Sequence, residues 1–335
     1  MSPRTGCRGA GAALFVALGA ALLAGCGGAD FPRAAEPGDA PPLTEDPAGT
    51  VAPVGEMPEG LVFLPAAGVL AVGLRGPAGL GFVDPERLQL LATVPLPAPP
   101  RHLAVSADGS RAIVPAERAD RLLTVSPDGV AGSTAVGAHP HDAVAAGERV
   151  FVADEFGDSV TVLRGGEVET TLTAPAQPGG IAAGGGYVAL VAVAERVLQV
   201  YDARRPAKLG SVSGGVGPTH VVALGADAYV ADTDGGVVRR YRLGPEPRQT
   251  AVAKASGAPY GIAVDPARRR LFVTLTARNR LAEYALGAGA PRLLATYPTV
   301  RQPNSVAVDP GSGAVFVAGR EAGVLERIEP GEGGR

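Results

Sequence analysis

A proline recurs about every forty residues, and each one opens the same short pattern. Pro58, Pro100, Pro140, Pro178, Pro218, Pro259 and Pro303 are separated by 42, 40, 38, 40, 41 and 44 residues. After each come two variable residues, three small or branched apolar residues, a turn and a second apolar run. Short strands repeated at this length make the blades of a propeller. Helical repeats of similar period need long helix-forming runs, which segments so rich in glycine cannot supply. The 335 residues include 48 Gly, 31 Pro and no Trp, a composition that punctuates the chain with turns. Disorder is the other reading of such a composition. The regular clusters of Val, Leu and Ile argue against it, because they are enough for a core.

The sixth copy shows the blade strand by strand. Ile262-Ala263-Val264 is the innermost strand, Leu271-Phe272-Val273 the second, Leu281 to Tyr284 the third and Leu293 to Thr296 the fourth. Continuous apolar runs on the inner strands suit sheets buried on both faces. Four residues after the prolines stand Val62, Ala104, Val144, Ala182, Val222, Ala263 and Ala307, small enough for strands crowded around an axis. The last copy supplies only three strands before the chain ends in polar, Gly-rich residues. Thr50 to Gly55, before the first anchor, resembles the outer strands elsewhere. The expected fold is therefore all-β: a seven-bladed β-propeller with four antiparallel strands per blade, its last blade closed by the N-terminal strand. Pro53 is tolerable there because an outermost strand has one free side.

Val306-Ala307-Val308-Asp309-Pro310 followed by Val315-Phe316-Val317-Ala318, and the matching stretch from Ile262 to Thr274, resemble the YVTN-type β-propeller repeat. Leu103 to Arg111 has the same strand and turn pattern. The resemblance spans nearly all of the chain after the N-terminal segment and implies architecture more than activity. Without tryptophan the chain lacks the fingerprint of WD repeats and the docking pattern of quinone-dependent propeller dehydrogenases.

The first residues belong to export rather than to the fold. Arg4 and Arg8 precede an apolar stretch from Ala10 to Leu23, too short to span a bilayer stably. Leu23-Ala24-Gly25-Cys26 resembles the lipobox of bacterial lipoproteins, which implies a signal peptide over 1–25 and lipidation at Cys26. Two or more acyl chains hold a protein stably on a membrane. Cys7 and Cys26 are the only cysteines, so cysteine chemistry is excluded from the mature domain. Residues 26–48, rich in Pro, Ala and acidic side chains, are expected to be a disordered tether that stands the propeller (49–330) off the membrane, with a polar tail over 331–335. Without Arg4 and Arg8, 28 basic residues face 33 acidic ones and no basic block remains, which argues against nucleic acid.

Antiparallel order places the loops leading into the inner strands and the links between second and third strands at one end of the ring. The candidate ligand residues there are Arg101, His102, His141, Asp142, Thr219, His220, Tyr260 and Asn304. The links add Glu117, Asp120, Asp154, Glu155, Asp158, Asp232, Asp234, Arg278, Arg280, Arg320 and Glu321. Three of the four histidines, His102, His141 and His220, could hold a divalent metal, the one cofactor these residues suit. They could equally plug the channel by hydrogen bonding to neighbouring blades. His141-Asp142 fits poorly as an acid–base pair, since adjacent strand residues point to opposite faces. Asp232-Thr233-Asp234-Gly235-Gly236 reads as a solvated turn, not a calcium loop. Few aromatics disfavour sugar.

The expected function is that of an exported, lipid-anchored monomer on the outer face of the cytoplasmic membrane. It would bind a protein, a peptide or a small polar ligand without catalysis. The alternative is a metal-dependent propeller lyase or lactonase using the channel histidines.

Overall fold

A computed structural model describes residue 31 and residues 33–331. The lipobox, the cleavage expected before Cys26 and most of the polar tail lie outside these residues. Seven four-stranded antiparallel sheets follow one another in chain order. The innermost strands are Glu56–Leu64, Ala104–Val105, Pro140–Ala146, Pro178–Gly184, Pro218–Leu224, Pro259–Asp265 and Pro303–Val308. They pack side by side around the axis, the last against the first. Among the described residues no helix is long and apolar enough to cross a membrane.

The seventh sheet closes as expected. Thr50–Pro53 pairs antiparallel with Val324–Ile328, Thr50 opposite Arg327 and Pro53 opposite Val324. The fully buried Glu326 fastens the junction, accepting from Gly49 N at 2.9 Å and from Val300 N at 2.9 Å. Burial is the main cause that pushes its carboxyl up to about 7, against the pull of those backbone donors. A Cβ on Gly49 would stand 2.1 Å from Arg327 O, so only glycine lets the chain come this close.

The core lies between blades. Phe82 joins Leu123 and Val114 between the first two, and Phe316 packs with Leu70 and Val72 between the last and the first. Each such ring removed from water contributes about 2–3 kcal/mol. A bulge recurs where third and fourth strands pair, at Val200/Tyr201, Arg240/Tyr241 and Glu283/Tyr284. Bulges re-aim the side chains beside them. Here the Tyr241 hydroxyl donates to Ser213 O at 2.9 Å and that of Tyr284 to Lys254 O at 2.8 Å, each in the preceding blade. Tyr201 reaches Thr173 O in the same way at 3.4 Å.

The segment expected to be a disordered tether departs from that reading in its described part. From residue 33 onward it lies against the ring, held by side chains of the sixth and seventh blades. Gly38 N donates to Thr276 Oγ1 at 2.8 Å, and Asn279 Nδ2 donates to Pro41 O at 2.8 Å. Composition was misleading because the contacts are made by the segment's backbone, which any residue carries.

Candidate functional site

Three loops leading into inner strands are pinned by one device. A residue with left-handed backbone in the preceding link, Asp120, Asp158 or Asn279, accepts from the backbone N–H just before the next anchor proline. The donors are His139, Gln177 and Gln302, at 2.9, 2.9 and 3.1 Å. Asp and Asn tolerate this backbone and offer a short acceptor. Asp120 and Asp158 thus orient loops. Asp154 and Asp232 are turned inward as well: Asp154 accepts from Ser159 and Thr161, and Asp232 from Gly217, Gly235 and Arg239.

The histidines meet at the channel mouth in a row with His102 in the middle. Its ring centroid is 4.7 Å from His141 and 4.7 Å from His220. At one end, His141 Nδ1 lies 3.1 Å from Glu155 Oε2 and 3.5 Å from Glu117 Oε1. Burial pulls this imidazole down, but the bonds to the two carboxylates outweigh it and raise it to about 9. At the other end, His220 Nδ1 is 3.1 Å from Tyr260 O and its Nε2 is 3.2 Å from His102 Nε2. Burial first, then the charge on His141, lowers His220 to about 3. His102 falls well below its ordinary range through burial and its two histidine neighbours. One imidazolium therefore stands beside two neutral imidazoles.

Around this row is a ring of alternating charge. Arg101 Nε is 3.4 Å from Glu117 Oε1, Arg75 Nε 3.3 Å from Glu59 Oε2, and Arg320 Nε 3.7 Å from the same Glu59 oxygen. Burial acts to raise Glu117 and Glu155, but the His141 contact and nearby arginines win and hold both low. Arg75, Arg101, Glu117 and Glu155 border a cavity of about 290 Å³, which His141, His220 and the segment Ala34, Ala35 and Glu36 also line. The channel also holds a cavity of about 430 Å³, lined by the inner strands, with His102 and His220 among its lining residues.

Five of the expected ligand residues, Arg101, His102, His141, His220 and Tyr260, come together here. The other three make framework bonds, Thr219 while lining this cavity and Asp142 and Asn304 while lining the channel cavity. Asp142 ties blade three to blade four by accepting from Ala143 N and Ile181 N, and burial raises it to about 6. Thr219 hydroxyl bonds to Ala231 O and Thr233, and Asn304 accepts from Gln302. Arg75 and Gln177 were missed. Arg75 was findable: Arg75, Glu155, Val193, Thr233, Thr276 and Arg320 each follow the residue paired with an anchor proline, in six of the seven blades.

Glu117, His141 and Glu155 each bring a ligand atom within 4.8 Å of the others. Arg75 and Arg101 beside Glu117 oppose a cation there. His102 Nε2 and His220 Nε2 fit a metal better. Their separation is near the roughly 3.4 Å between two imidazole ligands of tetrahedral zinc, and the Tyr260 carbonyl fixes His220 as metal-binding imidazoles are commonly fixed.

No protein-family model matches the sequence, and no curated protein does. Solved structures match over most of the chain. One titled hydrazine synthase, from Kuenenia stuttgartiensis, has TM-score 0.71 at 15% identity, covering 87% of this chain and 98% of its own. A chain of a mitotic checkpoint complex has TM-score 0.73 at 13% identity, covering 89% and 95%. A streptogramin B lyase has TM-score 0.69 at 12% identity, covering 84% and 96%. Identities this low establish the propeller fold, which hosts enzymes and assembly subunits alike.

Proposed function

We propose that this chain is an extracytoplasmic, lipid-anchored propeller that binds a small polar ligand, or the polar end of a peptide, in the cavity at its channel mouth. One observation carries the reading. Among the described residues, two buried side-chain polar atoms without a hydrogen bond, Arg101 Nε and Glu117 Oε1, lie on the wall of this cavity, joined to each other only as an ion pair at 3.4 Å. A buried ion pair that lacks hydrogen bonds leaves each group short by about 1–3 kcal/mol, so a polar ligand that supplies those bonds is favoured here. The charge states favour recognition over catalysis. His141 is held protonated and Glu117 and Glu155 ionised near neutral pH, so none is poised to exchange a proton there.

Thermal melting of the purified protein with amino acids, dicarboxylates and short peptides tests the reading. At least one should raise melting by several degrees, and the rise should vanish in Arg101→Met and in Glu117→Gln. No shift with any of them, or a shift that survives both substitutions, defeats it. Export and anchoring rest on Arg4, Arg8, the apolar stretch and Leu23 to Cys26. Cys26→Ser should release the protein from membranes, and retention there counts against lipidation.

The paired nitrogens of His102 and His220 favour a second reading, a metal-dependent lyase or hydrolase. There His102 and His220, with His141 beside them, would hold a divalent ion, which would supply Lewis-acid polarisation of a substrate oxygen. A stoichiometric transition metal in the purified protein, lost in His102→Ala and His220→Ala, would move the assignment to this reading. Ligand binding with less than about a tenth of an equivalent of metal would retain the first.

A further inference from the structure

We infer that the face formed by Thr276, Asn279, Arg301 and Gln302 is a site for extended peptides, filled in cis by Gly38 to Pro41 and able to take a Gly-x-Ala-Pro segment of a second polypeptide when the cis segment leaves it. This goes beyond the small-ligand reading and does not depend on it. All the hydrogen bonds from these four side chains to the segment meet main-chain atoms. Gln302 uses both ends of its amide, accepting from Ala40 N at 3.0 Å and donating to Gly38 O at 3.1 Å. Thr276 Oγ1 accepts from Gly38 N, Asn279 Nδ2 donates to Pro41 O, and the Arg301 guanidinium donates to Ala40 O at 3.2 Å. Main-chain readout of this kind gives affinity to any extended strand and leaves choice to the pockets between bonds.

Two pockets make the choice. A Cβ on Gly38 would stand 2.8 Å from Ala258 Cβ and 2.9 Å from Ala277 Cβ, so the first accepts only glycine. Ala40 is 6% exposed, so the second takes a small methyl. Asp39 between them points to solvent and is unrestricted. Proline at 41 costs nothing, since only its carbonyl is read. Asn279 and Gln302 are also held by bonds that do not involve the segment: Gln302 N donates to Asn279 Oδ1 and Gln302 Nε2 to Asn304 Oδ1 at 3.0 Å. Binding therefore orders little of the protein, which keeps its entropic cost small.

Tethering gives the cis segment an effective concentration in the millimolar range, so a peptide in trans meets an occupied site. Releasing the cis segment exposes it. In the detergent-solubilised full chain carrying Gly38→Val, a fluorescent peptide of residues 36–43 should bind saturably by anisotropy, with no binding below about 1 mM to the unsubstituted chain. Adding Gln302→Ala should weaken that binding at least tenfold, and a peptide with valine for the glycine should not bind. Amide hydrogen exchange follows the segment alongside: Gly38 and Ala40 should be protected in the unsubstituted chain and free in Gly38→Val. Freed amides without peptide binding overturn the inference, as do unprotected amides in the unsubstituted chain. Should Gly38→Val fail to fold, Gln302→Ala alone must speed exchange at Ala40 at least tenfold, and unchanged exchange is equally fatal.

Discussion

His141 shows how much of the mouth depends on single contacts. Its folded pKa of about 9 lies above the ordinary histidine value of 6.5, so the folded state holds the proton more tightly. The resulting stability is fully present below pH 6.5 and is lost as pH rises through 9. Chemical denaturation at pH 6.5 and 9.5 should show a fall to which His141 contributes about 2–3 kcal/mol, and the fall should shrink by about that much in the Glu117→Gln, Glu155→Gln double variant. A fall of equal size in both proteins would mean that His141 is not the group responsible. At this scale the sequence was readable where residue type and repeat position agree, as for the three histidines behind their prolines. It was not readable where a side chain could face either way: Asp142 follows His141 directly, yet its carboxylate bridges two blades.

Elements were more legible than residues, because strand period and proline spacing report on backbone geometry that seven copies must share. The sixth copy's four strands fall where its apolar runs place them, inside Pro259–Asp265, Arg270–Leu275, Arg280–Ala285 and Arg292–Pro298. The bulges escaped notice, since an extra residue in a pair leaves no mark on one strand alone. Three of them matter for cohesion: they sit beside a third-strand tyrosine whose hydroxyl meets the blade before it. Tyr241→Phe and Tyr284→Phe should each cost about 1 kcal/mol in urea denaturation. The two losses should add, because the bonds join different blade pairs and share no partner. A cost under about 0.3 kcal/mol for both would leave the ties without energetic weight.

For the whole molecule, closure by Thr50–Pro53 turns seven sheets into one ring. Removing residues 49–56 should lower the melting temperature by at least about 5 °C and broaden the transition, since the first and last blades then meet without a shared strand. An unchanged, sharp transition would show that the closing strand contributes little. This junction could be anticipated because a missing fourth strand is a countable deficit. The course of residues 33–48 across the mouth could not, since nothing in Pro, Gly and Ala shows which main-chain groups a distant loop will take. That course also decides what the mouth can admit. Ala34, Ala35 and Glu36 line its cavity, so anything bound there meets the chain's own N-terminal segment as one of its walls.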